Sequence, residues 1–356
     1  MMSANILLCP LFIASSFLLA ACGRPSNDTA AETTEPETST IVEATQLAWA
    51  VGDSPAMSRA EFDELMQEIS NWGRWGADDQ LGTLNLITPA KRRDAASLVK
   101  DGVTVSMALD LNKQEDELNE NPFEHEVYTI DYGGHQVAGD KYAVRYHGWA
   151  HSHMDGLQHF AHKGMLYNGM PYDSLIPDGT ERLGIQNVGI NGVFTRGVLV
   201  DMPRFLDVDY LPAGTAITAA DLEAWEKASG ITITSGDVLL IRTGRWVQVA
   251  EQGQWDFREK AAGFHASVAS WLKARDVAVI GCDGVSDVSP SGVEGLVNPL
   301  HELVLVGLGM PMLDNLDLEA VAAAAAERGR SVFLFVGAPL RVPGGTGSPL
   351  NPLAVF

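Results

Sequence analysis

The chain has 356 residues, with 46 acidic and 24 basic side chains and a formal net charge of -22. No basic stripe is available to neutralise phosphates, which excludes a nucleic-acid partner and leaves the acid excess as a solvated surface. Only three cysteines occur, too few for a thiolate zinc cluster, so any metal has to be held by His, Asp and Glu.

In chain order, the first element is an address. ILLCPLFIASSFLLAAC, ending at Cys22, is apolar but too short and too abruptly ended for a membrane span. Its last residues, Leu19, Ala20, Ala21 and Cys22, resemble the bacterial lipobox. Residues 1–21 are therefore expected to be a signal peptide, with Cys22 the lipidated first residue of the mature chain. Residues 22–48 are rich in Thr, Glu, Pro and Ser, too polar to bury a core and suited to a flexible tether. Residues 49–356 are the expected folded domain. The expected location is the bacterial cell envelope, at the periplasmic face of the outer membrane, with the lipid as the sole membrane contact. With Cys9 removed and Cys22 acylated, Cys282 is left without a disulfide partner.

The domain interleaves helix and strand signals. SRAEFDELMQEISNW opens with a capping-box pattern, Ser58 and Glu61, and carries Phe62, Leu65, Met66 and Ile69 at helical spacing. TPAKRRDAASLVKDG has Thr88 as N-cap, Pro89 in the first turn and Gly102 at the stop. TAADLEAWEKASG repeats that grammar from Thr218 to Gly230, and LDLEAVAAAAAERG reads as a helix whose small residues let it lie close to a sheet. VTVSMALDL alternates like a half-buried strand. GVLVDM, DVLLIRTG, VAVIGCDG and SVFLFVGAPL are continuous, as strands covered on both faces are. The interleaving predicts an α/β layered architecture. No Gly-rich phosphate loop follows a strand and opens a helix, so nucleotide use is not expected.

The chemistry concentrates in YHGWAHSHMDGLQHFAH. Five of the nine histidines lie there: His147, His151, His153, His159 and His162. The segment begins like a strand, and if the strand continues, residues 147, 149, 151, 153 and 155 share one face. His153 and Asp155 then stand side by side, and His159 follows near the strand end as a further ligand or a base. Imidazole with carboxylate suits zinc or manganese and disfavours calcium. His151 is an intermediate candidate. His147 and Trp149 read as outer contacts or pocket wall, and His162 as structural.

HSHMDGLQH resembles the His-x-Asp-x-x-x-His core of the cyclase-family metal hydrolases, which include bacterial kynurenine formamidases, isatin hydrolase and trans-dienelactone hydrolase. NWGRWGADDQLGTLNLITPAKRR, GDVLLIRTGRW, VAVIGCDGVSD, NPLHELVLVGLGMPMLDNLDLEAV and APLRVPGGTGSPLNPLAV resemble further blocks of that family, the last its closing strand pair. The resemblance implies an α/β fold of the swivelling β/β/α type, a single domain with a mixed sheet and packed helices. It also implies one or two divalent ions and a homodimer or larger homo-oligomer. Residue by residue, it implies that His153, Asp155, His301 and Asp314 are metal ligands, with Asp155 the candidate bridge. It makes His159 the acid/base, and it places Asp283 on a segment approaching the site.

The chain departs from the family pattern twice. Trp149 stands where shorter members have a ligand histidine, and Asp314 stands where many have glutamate. One tightly held ion is then expected rather than a matched pair, with His151 the candidate to replace the displaced ligand. The implied activity is hydrolysis of a small cyclic amide, formamide or lactone, with Trp149, Trp72 and Trp75 as substrate contacts. A metal-dependent lyase or cyclase, and a non-catalytic metal- or ligand-binding lipoprotein, stay open beside it.

Overall fold

The structure, a computed structural model, describes residues 54–175 and 181–356. The expected signal peptide, Cys22 and the tether lie outside the described residues. The strands are β1 (Thr104–Ser106), β2 (Glu124–Tyr132), β3 (His135–Ala143), β4 (His153–Asp155), β5 (Val193–Asp201), β6 (Ala216–Ile217) and β7 (Val238–Arg242). They continue with β8 (Gly263–Phe264), β9 (Val279–Cys282), β10 (Met312–Asp314), β11 (Val332–Gly337), β12 (Gly347–Pro349) and β13 (Leu353–Val355).

Nine of these form one mixed sheet in the order β1-β13-β11-β5-β7-β9-β10-β4-β12. The run β5-β7-β9-β10 is parallel, and helices fill the connections, as parallel neighbours require. β7 and β9 are buried at every residue, which explains why they read as continuous apolar runs. The outer pairs are antiparallel. The expected mixed α/β architecture, a single domain with packed helices, is what forms.

The ends of the sheet curl toward each other. β12 is the last strand in the order and β13 the second, yet only residues 350–352 join them. So short a link spans at most about 14 Å. The expected closing strand pair is therefore two separate strands: β12 pairs with β4, and β13 lies between β1 and β11. Ser152 fastens this closure, since its hydroxyl accepts from Leu109 N at 2.9 Å and donates to Asn315 O at 2.6 Å.

The helix signals materialise at Arg59–Ile69, Pro89–Ala96, Ala219–Ser229 and Glu319–Arg328. The Ser58–Glu61 capping box is formed, and Phe62, Leu65, Met66 and Ile69 are the buried face of their helix. In Glu319–Arg328 the buried residues are Val321, Ala322 and Ala325. Their small volume lets the backbone approach a core that also contains Leu313, Phe333 and Phe335.

The expectation of one strand running through residues 147–155 is not met. β3 ends at Ala143 and β4 begins only at His153. Gly148, at φ +144°, takes a conformation open to glycine alone, and the chain bends there instead of alternating. β2 and β3 form a separate hairpin through Gly133 and Gly134, both at positive φ, as a tight hairpin turn requires.

Candidate metal centre

β4 carries His153 and Asp155 in alternation, so both point to the same side of the sheet. Its neighbour β10 is registered so that Asp314 lies opposite His153 and Met312 opposite Asp155. Asp314 thereby joins the face that already holds His153 and Asp155. His301 arrives from the helical turn Pro299–His301, started by a proline that pre-sets the first helical residue.

Asp155 is the centre of the arrangement. Its Oδ1 lies 2.8 Å from His147 Nδ1, 3.3 Å from His153 Nε2 and 3.8 Å from His159 Nε2. Its Oδ2 lies 3.4 Å from His301 Nε2, which is 3.3 Å from Asp314 Oδ2. Among the described residues, two triads that could hold an ion result: His147, His153 and Asp155, and Asp155, His301 and Asp314. Asp155 belongs to both, as an ion-bridging carboxylate does.

The residues fit a metal by two observations. Among the described residues, both Asp155 oxygens and His147 Nδ1 are buried without a well-aligned hydrogen bond, despite the 2.8 Å between Oδ1 and Nδ1, and a buried carboxylate left so is costly unless a cation joins it. The separations near 3.3 Å also match donors packed around one small ion at about 2.0–2.1 Å, whose neighbouring ligands stand about 3.3 Å apart.

Outer partners orient the ligands. His153 Nδ1 is 2.8 Å from the backbone oxygen of His151, and His301 Nδ1 is 2.5 Å from Asp287 Oδ2. Both contacts aim the opposite nitrogen, Nε2, at the centre. Asp287 also accepts from the backbone N–H groups of Leu300 and His301. Ser286 Oγ donates to Asp314 Oδ1 at 2.9 Å.

The local electrostatics follow from burial and crowding. Burial by itself would raise the Asp155 carboxyl, but His159, His153 and His147 outweigh it and hold it well below the usual range. Burial opposes protonation of His301, yet Asp155, Asp287 and Asp314 push it well above an ordinary histidine. His159 goes the other way. Burial, with Asp155 opposing and His147, His301 and His153 adding to it, brings its pKa down to about 4. Its ring is neutral at neutral pH.

A pocket of about 120 Å³ opens onto this centre, lined by Trp149, His153, Asp155, His159, His301 and Asp314 among others. His159 stands outside both triads, stacked on the His147 ring at 3.7 Å. Phe160 packs on His301 at 4.8 Å.

The tertiary structure thus gathers His153, Asp155, His159, His301, Asp314 and Trp149. It adds His147, which the sequence reading had placed outside the ligands. His151 is in neither triad; the chain is still bent through residues 147–151 and becomes a strand only at His153, so alternation does not reach it. Two triads stand where one ion was expected, because the bend lets His147 approach Asp155 from the loop. Trp72 and Trp75 are not brought to the pocket. The Trp72 indole donates to Val306 O at 2.7 Å and lines a different cavity, and Arg74 stacks over Trp75. The Asp283 carboxylate is turned away, accepting from the Thr243 hydroxyl and the backbone N–H groups of Thr243, Gly244 and Arg245.

Sequence reasoning missed Asp287, Asn315 and Arg245. Arg245 donates to Asn315 Oδ1 and to Trp149 O, and Asn315 Nδ2 donates to Gly148 O. Together they pin the loop that carries His147 and Trp149. The adjacency of Asn315 to Asp314 is the one signal that the linear text offered.

Comparison with known proteins extends this picture. The family model named Cyclase matches residues 82–287. A crystal structure described as a novel cyclase is 30% identical, with a TM-score of 0.73, over 82% of this chain and 99% of that one. Isatin hydrolase A from Ralstonia solanacearum is 20% identical, with a TM-score of 0.51, over 71% of this chain and 91% of its own, a likeness of fold. No curated protein matches the chain.

Proposed function

The chain belongs to the cyclase family, and we propose that it is a metal-dependent hydrolase that opens a small cyclic amide, a formamide or a lactone. The observation that carries this reading is the buried Asp155 carboxylate, without a well-aligned hydrogen bond among the described residues and shared by two ligand triads. A neutral histidine stands beside them.

Zinc or manganese suits the mixed imidazole and carboxylate donors, and bound there it would polarise a carbonyl and make a nearby water more acidic. His147 and His153 with Asp155, and His301 and Asp314 with Asp155, are the residues that would hold one or two such ions. His159 supplies the proton transfer. Its neutral ring takes the proton from the attacking water and returns it to the departing nitrogen or oxygen. Trp149 walls the pocket and limits water to the reacting face. Asp287 holds His301 in the tautomer that presents Nε2.

The same proposal places the protein on the cell envelope through a lipid on Cys22, with a small molecule as its partner and a homo-oligomeric assembly. Palmitate labelling of wild type, and its loss in Cys22→Ala, tests the anchor.

The hydrolase test begins with metal analysis of purified protein and continues with a panel of lactams, formamides and lactones in zinc or manganese. Turnover of at least one member, lost in His159→Ala with the metal content unchanged, is the expected result. A metal-binding protein without catalysis would turn over none of the panel, and a lyase would release an unsaturated product without consuming water. Either outcome overturns the reading.

A further inference from the structure

A second cavity, of about 160 Å³, adjoins the metal pocket, and Gly148 and Trp149 line both. His151 lines this second cavity. It is only 2% exposed, yet neither of its ring nitrogens has a hydrogen-bond partner among the described residues. Its backbone carbonyl is engaged, facing His153 Nδ1 and accepting from Asn315 Nδ2. The carbonyl therefore serves the metal centre, while the residue also lines the second cavity beside His147.

A buried imidazole that finds neither donor nor acceptor is uncommon in a folded protein and points to a missing partner. The neutral ring can present either an N–H or a lone pair, so it suits a group that accepts or donates. The two acids Glu117 and Glu120 are balanced by the two bases Arg145 and Arg258, so the wall selects neither sign of charge. An uncharged carboxamide or hydroxyl satisfies all of these conditions.

We infer that this cavity receives the part of the substrate that lies beyond the scissile carbonyl. That part ends in an uncharged hydrogen-bonding group, and His151 is the residue that reads it. The inference rests on the hydrolase reading for the orientation of the substrate, with the carbonyl at the metal pocket and the remainder past Trp149.

The test uses product-like acids that anchor a carboxylate at the metal centre. Calorimetric titration of the zinc-loaded full chain compares succinamate, glutaramate and adipamate with their isosteres 4-methylpentanoate, 5-methylhexanoate and 6-methylheptanoate. At one chain length or more, wild type should bind the amide about tenfold more tightly than its isostere, the scale of one hydrogen bond. The ratio should fall to about one in His151→Phe and persist in His151→Gln, which keeps a donor and an acceptor. Metal content should be the same in all three proteins. Equal affinities in every wild-type pair overturn the inference, as does a preference that survives in His151→Phe. Loss of metal in His151→Phe also overturns it, by making His151 a ligand. These acids are bound rather than cleaved, so failure of the hydrolase reading is read separately, from the substrate panel.

Discussion

Asp314 stands directly across the antiparallel β4–β10 pair from His153. That one pairing brings a carboxylate from late in the chain onto the face of the HSHMD segment. A strand slip of a single residue would turn either side chain to the opposite face, so the metal centre depends on the register of the sheet. The predictions below follow from this dependence and from the way Asp155 is shared.

Asp155→Asn removes the one residue common to both triads. The variant should retain its secondary structure by circular dichroism but lose bound metal and turnover, the latter by at least about a hundredfold. Mass spectrometric metal analysis decides the point. A full metal complement in the variant would remove Asp155 from the ligand set.

Asp287→Asn tests an outer contact. The carboxylate accepts from His301 Nδ1 at 2.5 Å, and its loss should weaken metal affinity by roughly 10–100-fold without abolishing it. Competition with a chromophoric chelator measures the change. An affinity equal to wild type would show that the His301 ring is held by packing on Phe160 instead.

His159 carries a pH signature. Its pKa in the metal-free protein is about 4, below the roughly 6.5 of an unfolded histidine. Between those values the unfolded chain binds more protons at this site than the folded one. The contribution of the neutral buried ring to stability is therefore complete above about pH 6.5 and lost as pH falls toward about 4. NMR titration of the metal-free protein, with His159 assigned by difference against His159→Gln, should give a midpoint near 4. A midpoint at or above 6.5 would show that burial does not depress the ring and would remove this pH-dependent contribution to stability.

Gly347→Ala probes the packing behind the centre. Gly347 pairs with Asp155, and an added Cβ would lie 2.5 Å from Met154 O and 2.8 Å from His147 Cε1. Overpacking of this kind costs about 1–3 kcal/mol, readable by urea denaturation of the metal-free protein. Because His147 belongs to only one triad, the variant should also lose the ion of that triad first, leaving up to one ion per chain. Unchanged stability together with two retained ions would show that the loop yields freely.

Much of the site was legible because its residues are close in sequence. His153 and Asp155 are two apart, and a strand of only three residues is enough to put them side by side. His159 follows within one turn of chain. His301 and Asp314 were legible only through resemblance to a family, since nothing in local spacing ties them to residue 153. The choice between His147 and His151 was misread because alternation holds only while a strand is continuous, and the chain bends through residues 147–151 before β4 begins. Trp72 and Trp75 were misassigned for a related reason: an aromatic side chain has the same composition whether it lines a substrate pocket or satisfies its indole N–H at Val306 O.

By itself, then, the sequence determined the interleaved helices and strands, the donor types and the excess of acid over base. Periodicity, capping and composition act over a few residues and survive without knowledge of the fold. Only the tertiary structure decided that β4 would be enclosed by β10 and β12, that two triads would share Asp155, and that His151 would line a second cavity. Those outcomes depend on register and on the curl of the sheet, which are set by packing across the whole chain.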